Sequence, residues 1–386
     1  MSRPSLELAD IFRQHGESYR NNHALTLEQL KPMRAIETCR TAALGGHVER
    51  CGHCAHQRIS YNSCRNRHCP KCQTLAREQW LTRRRAELLP VTYYHLVLRL
   101  RPAIAQSALQ NKKVIYNSLF AASAKTLLTI AADPKHLGAN IGFFSILHTW
   151  GQNLLHHPHI HCVVSGGGTS PDRKTWVGCR ENFFLPVRVL SRLFRRLFLE
   201  QLEQAKLSFH GQLEDLNNKA QLKQHIAAAR KQDWVVYAKA PFGGAEKAID
   251  YLGRYTHKIA ITNHRLLSDA GGKVSFRYKD YSSADPQKPR EMTLTAEEFI
   301  RRFLLHAIPP GFQRIRHYGL YANRNREANL ELCRKLLNTP HPSPLATPGT
   351  KATEAIEAAS RCPVCKLGKM LREMKLPPSR WPARPP

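Results

Sequence analysis

Residues 145–168, SILHTWGQNLLHHPHIHCVVSGGG, constrain the fold most tightly. Two apolar runs with β-branched residues, 141–147 and 159–165, lie close together in sequence. That pattern predicts two strands joined by a turn. Side chains alternate along a strand, so His159 and His161 share one face while Ile160 points to the other. Two imidazoles fixed on one strand face make a natural pair of metal ligands. His148, at the end of the first run, becomes a third if the runs form a hairpin. An H-x-H alone is equally the mark of ordinary surface histidines, so further signals must decide. Gly166, Gly167 and Gly168 are expected to end the pair in a turn; no Lys-Ser/Thr follows to make a phosphate cradle.

The chain has 386 residues, room for two or three domains. Lysine and arginine number 59 against 29 acids, a net charge of +30. The excess is spread along the chain, which points to a polyanionic partner, most simply nucleic acid. No run of 18 apolar residues exists, so no bilayer span and no membrane partner are expected. The N-terminus lacks the apolar core of a signal peptide, and a cytoplasmic, nucleoid-associated protein is expected.

Eleven cysteines, mostly in C-x-x-C pairs, read in that compartment as metal ligands rather than disulfides. Cys51-x-x-Cys54 and Cys69-x-x-Cys72 lie 14 residues apart, near the zinc-ribbon window, and are expected to close one structural Zn²⁺ site. Cys39, His47, Cys64 and His68 are spare donors for a replacement ligand or a second site. Cys362-x-x-Cys365 is half a knuckle with no local partner pair; Cys333 is a candidate.

Helices are expected within residues 1–45, and over 77–89, 111–132, 188–205, 221–232, 245–256 and 295–307, the last with Thr295 and Glu298 spaced as a capping box. Strands are expected over 93–100, 234–240, 258–262 and 273–278. Residues 340–350, with four prolines, read as a linker.

A second constellation lies in residues 250–258, DYLGRYTHK. Tyr251 and Tyr255 stand four apart, on one face of the expected helix. Such pairs usually rim a core. Here Arg254, His257 and Lys258 flank them, and Gly253 leaves space for a substrate to approach. A phenol can attack a phosphodiester and form a covalent phosphotyrosine. Its pKa of about 10 leaves a deficit of about 4 kcal/mol at neutral pH, which a divalent cation beside the phosphate would offset.

H-hydrophobic-H followed by Y-x-x-x-Y resembles the HUH endonuclease superfamily. Within it, the chain most resembles the two-tyrosine rolling-circle transposases of the insertion-sequence ninety-one type. The resemblance covers nearly the whole length: the cysteine segment 61–73, the HPHIHCVVSGGG block and the YLGRYTHKIAI block. It implies that Tyr251 and Tyr255 are nucleophiles and that His159 and His161 bind a catalytic Mg²⁺ or Mn²⁺. A third ligand varies within the superfamily; His148 is the first choice and His257 the second. The implied fold is α+β, a ferredoxin-like core with an antiparallel sheet and flanking helices, preceded by a small zinc-ribbon-like domain. Expected boundaries are 1–90 for the helical arm and zinc domain, 91–310 for the nuclease core and 311–386 for a basic extension. The implied substrate is single-stranded DNA at transposon ends, with host replication proteins as further partners. A replication initiator or relaxase would use the same chemistry. A zinc hydrolase would need more ligands than the Cys-Val-Val that follows His161, and a non-enzymatic zinc-ribbon DNA binder would need neither tyrosines nor histidines.

Overall fold

The computed structural model describes residues 6–72, 74–181, 183–239, 246, 247, 249, 250, 253, 259–280, 285, 288–339 and 360–379. Its centre is an antiparallel sheet. Strands β3 (Tyr93–Arg99), β4 (Asn140–Trp150), β5 (His156–Thr169) and β7 (Val236–Lys239) lie in the order β4-β5-β3-β7. Strand β11 (Ile315–Gly319) adds to the β4 edge, and the short β6 (Trp176–Gly178) pairs with the end of β5. Between β3 and β4 run α4 (Pro102–Gln110) and α5 (Lys112–Ala132); between β5 and β7 run α6 (Val187–Gln204) and α7 (Lys219–Lys231). A β-α-β-β-α-β chain with its first and third strands central is the ferredoxin-like split arrangement. The expected α+β class is therefore found.

The sheet's two faces differ. Ile160, Cys162 and Val164 of β5 and Leu96 and Leu98 of β3 are fully buried in the main core, shared with Leu119, Phe120 and Leu127 of α5 and Phe194 and Phe198 of α6. Helix α5 is long and apolar enough to cross a membrane, but 61% of that window is buried inside the protein, as in a core helix. On the opposite face, Phe144, Ile146 and Val163 pack with Leu81 of α3 (Thr74–Ala86), with Ile249, and with Leu330 and Cys333 of α9 (Arg326–Leu336). Trp80 of α3 meets Phe144 edge-on at 5.7 Å.

An N-terminal pair, α1 (Leu8–Asn22) and α2 (Leu27–Glu37), packs against α8 (Ala296–Leu305) through an edge-to-face Phe12–Phe303 contact at 5.4 Å. Thr295 caps α8 by accepting from the Glu298 N–H at 3.2 Å. The Glu298 side chain does not complete the box; it pairs with Arg301 and Arg302. Before α8 lies a three-stranded meander, β8 (Leu266–Ala270), β9 (Lys273–Lys279) and β10 (Pro289–Thr295). Its first turn is Gly271-Gly272, both with positive φ, as a two-residue hairpin requires.

A second small sheet joins segments far apart in sequence. Strands β1 (Gly46–Cys51) and β2 (Gln57–Tyr61) form a hairpin, and β12 (Met370–Leu376) pairs antiparallel with β1.

Three local expectations fail. No ladder forms over 259–262: Ile259 and Ile261 are buried by packing alone. The glycine run is not a turn but the continuation of β5. A Cβ on Gly168 would lie 2.1 Å from the Asn140 carbonyl oxygen, and one on Gly167, at φ +149, 2.5 Å from that of Val177. The glycines admit neighbouring backbone. Gly253 is buried, and a Cβ there would lie 2.4 Å from Leu81 Cδ2, so it provides close packing on α3 rather than space for a substrate.

Candidate metal centre

β4 and β5 form the expected hairpin with His148 directly opposite His159 and Ile146 opposite His161. Cross-strand partners share a face, so all three imidazoles project from the α3 side of the sheet. One ring nitrogen of each lies within 4.8 Å of the others, and ring centroids are 4.2 Å (His148–His161), 4.8 Å (His159–His161) and 5.4 Å (His148–His159) apart.

The surroundings set the tautomers. His159 Nδ1 is 2.6 Å from the His157 carbonyl, to which it must donate; its Nε2 then carries the lone pair. His161 Nδ1 is 2.7 Å from Nε2 of His95, a β3 residue whose ring stacks on His161 at 5.0 Å. A metal-binding imidazole ordinarily has its second nitrogen held in this way. Burial holds His159 down to about 3 and His161 and His148 well below the ordinary imidazole value, with the neighbouring histidines adding to the effect. His95 is held at about 4 by burial. All four are neutral at pH 7, the form a cation needs. His95 had no sequence signal: only pairing of β3 with β5 reveals it.

The cluster's rim is cationic and aromatic. Arg99, exposed, is the β3 partner of His159. Trp150 stacks on His148 at 4.9 Å, and Arg314 lies 5.5 Å from the Trp150 ring centre. Tyr237 of edge strand β7 is the ladder partner of Val97, which pairs with His161; it is 50% exposed on the histidine face.

Tyr251, Tyr255 and the second-choice ligand His257 lie outside the described residues, as does the proline-rich 340–350 stretch. Neighbours of the tyrosines are described. Ile249 is buried among Leu81, Phe144 and Val163, Asp250 pairs with Arg85 of α3, and Gly253 meets Leu81. Phe144 and Val163 sit on the same sheet face as the histidines.

The cysteines depart from the expected single site. Cys51 and Cys54 do not meet Cys69 and Cys72. Two groups of four form instead, Cys39 with Cys64, Cys69 and Cys72, and Cys51 with Cys54, Cys362 and Cys365. The reason is the β1–β2 hairpin. Cys51 and Cys54 lie in its turn, whereas Cys64, Cys69 and Cys72 follow β2, beyond the base where the Asn62 N–H bonds the Gly45 carbonyl. Strands of this length hold their ends roughly 15–20 Å apart. His47 engages Glu49 instead, and His68 Nε2 accepts from the Ile308 N–H. Cys333 is buried in the α3–α9 cluster, not beside Cys362.

Residues 142–328 match the family model described as "Putative transposase", and residues 11–100 match "Transposase zinc-binding domain". A Sinorhizobium fredii (strain NBRC 101917 / NGR234) protein named "Putative transposase y4qJ" is 56% identical over 382 residues, 96% of each chain. The chain belongs to the IS91-type transposases.

A further relative is the transposase for insertion sequence element IS801 of Pseudomonas savastanoi pv. phaseolicola, 28% identical over 77% of this chain and 71% of that one. No solved structure matches. A transposase acts on DNA, which fits the charge of +30. The zinc-binding match contains every member of the Cys39 group, and four cysteine sulfurs are a fitting donor set for a structural zinc.

Proposed function

We propose that this transposase cleaves and rejoins single-stranded DNA through a 5′-phosphotyrosine on Tyr251 or Tyr255, as in rolling-circle transposition by HUH enzymes. The observation that carries the reading is the neutral three-histidine cluster on the central strands, with the tyrosine segment's Ile249 buried on the same sheet face.

His159 and His161, with His148, would hold a divalent cation through the nitrogens not engaged elsewhere. Bound there, the cation would supply Lewis-acid polarisation of the scissile phosphate. Nitrogen donors favour Mn²⁺ over Mg²⁺. Arg99 attracts the phosphate backbone, and exposed Tyr237 offers a face on which a base can stack.

The phenolic oxygen attacks phosphorus. The bond from phosphorus to the 3′ oxygen breaks, that oxygen takes a proton, and the phenol's proton passes to solvent. The 5′ phosphate stays on tyrosine and the free 3′ hydroxyl can prime synthesis. Reversal rejoins ends without ATP. The second tyrosine permits a second cleavage while the first link persists.

Incubation of the full chain with labelled single-stranded element-end DNA and Mn²⁺ is expected to yield a denaturation-resistant protein–DNA adduct. A hydrolase or a passive zinc-ribbon binder gives none. Histidine→alanine at His161 is expected to remove the adduct and leave cysteine-bound zinc in place; loss of that zinc would reassign the histidine.

A further inference from the structure

Cys362 and Cys365 fall outside the zinc-binding family match, which ends at residue 100, yet they face Cys51 and Cys54 across the small sheet. Cys51 Sγ is 3.7 Å from Cys365 Sγ, and Cys54 Sγ is 3.6 Å from Cys362 Sγ. Both separations are too long for disulfides, at about 2.05 Å. They match the edge of a tetrahedron of sulfurs around a metal, about 3.8 Å for a zinc–sulfur bond of about 2.3 Å.

The two C-x-x-C turns have the same backbone design. The residue after each second cysteine, Ala55 and Lys366, is left-handed at φ 60 and 61 although neither is glycine. The Ala55 N–H donates to the Cys51 carbonyl at 3.1 Å, and the Lys366 N–H to that of Cys362 at 3.2 Å. The amide two residues after each first cysteine points at its sulfur, His53 to Cys51 and Val364 to Cys362, both at 3.4 Å. These N–H groups stabilise thiolates rather than thiols. Strained backbone at two equivalent positions 311 residues apart in sequence is retained only where something over-determines it. Gly368 completes the fit, because a Cβ there would lie 2.4 Å from Cys51 Sγ.

We propose that Cys51, Cys54, Cys362 and Cys365 bind a second structural Zn²⁺. It clips the chain's C-terminal strand to the N-terminal hairpin. The ion closes a loop of roughly 300 residues and anchors β12 against β1. The C-terminal segment is thus part of the zinc module, not a separate extension. Chain order alone gives the two clusters separate timing: the Cys39 group can form once Cys72 is made, whereas the Cys51 group must wait for Cys365.

The test uses the full chain. Zinc released by a thiol-modifying mercurial is expected at two equivalents per wild-type chain and one for Cys362→Ser/Cys365→Ser, with the remaining equivalent lost when Cys39→Ser is added. One equivalent in the wild type, unchanged by Cys362→Ser/Cys365→Ser, would overturn the site. Wild-type protein gives an answer even if that variant misfolds. Alkylation of Cys51, Cys54, Cys362 and Cys365 should accelerate together on chelation by at least tenfold. Equal alkylation of Cys362 and Cys365 with and without chelator would refute the clip.

Discussion

At the scale of single residues, the histidine cluster depends on groups that do not themselves face a ligand. His95 holds the His161 ring by a 2.7 Å bond and by stacking. Replacing His95 by Phe keeps a ring and removes the nitrogen. Loss of such an orienting group typically costs about 10- to 100-fold in metal affinity. Titration of DNA cleavage with Mn²⁺ should therefore show a requirement raised by about that factor, and an unchanged curve would remove His95 from the site. His306 supplies a pH prediction. Buried, with Nε2 donating to the Leu154 carbonyl at 3.0 Å and Nδ1 accepting from Thr149 at 3.2 Å, it is held at about 3. The native state binds fewer protons than the unfolded chain below about pH 6.5, so this contribution is full above that pH and declines towards pH 3. Between pH 7 and 4.5 the loss is on the order of 2 kcal/mol. Denaturant unfolding of His306→Gln should show a smaller difference between those pH values than wild type does; an equal difference would contradict it. Sequence alone showed His159 and His161 on one face because strand alternation is local. His95 and His306 were invisible because their partners come from other strands and helices.

At the scale of elements, α3 docked on the sheet meets Ile249, Asp250 and Gly253, the described neighbours of the two tyrosines. Gly253 is buried where a Cβ would lie 2.4 Å from Leu81 Cδ2. Gly253→Ala gains about 1 kcal/mol of helix propensity but overpacks against Leu81, a cost of about 1–3 kcal/mol. The single variant should lose stability, whereas in a Leu81→Ala background the same change should be neutral or stabilising. A double-mutant cycle in denaturant measures the coupling, and strict additivity would place Gly253 away from α3. Most elements were legible here, because β4 and β5 are apolar runs with β-branched residues, α5 is a long apolar run, and α6 carries a clear period-3.6 pattern. The failures have one cause. At 166–168 glycine met a neighbouring strand rather than making a turn, and at 259–261 isoleucines met the core rather than a ladder. Local pattern registers that a residue is buried, not what buries it.

At the scale of the whole molecule, the ferredoxin-like order of the sheet and the return of β12 to β1 could not be read from spacing. The C-x-x-C pairs at 51 and 69 looked like partners because they are near in sequence. A stiff hairpin separates them, and each finds its complement elsewhere. The cysteine count was the available clue, since eight of the eleven make two sets of four. The charge of +30 is likewise a property of the whole. For single-stranded DNA the logarithm of affinity should fall with that of salt by about 0.7 per phosphate contacted. Fluorescence anisotropy of Tyr251→Phe/Tyr255→Phe between 50 and 200 mM salt would show it, roughly 10-fold or more for several contacts. A flat dependence would argue against a backbone-tracking groove.

The most direct measurement is the identity of the side chain that holds DNA. The adduct formed on a single-stranded substrate with Mn²⁺ can be trimmed by nuclease and protease and the nucleotide-bearing peptide sequenced by mass spectrometry. A 5′-phosphoryl nucleotide on the phenolic oxygen of Tyr251 or Tyr255 is expected, in a reaction abolished by His159→Ala/His161→Ala. Attachment at another residue such as Tyr237, or an adduct that survives loss of both histidines, would contradict it.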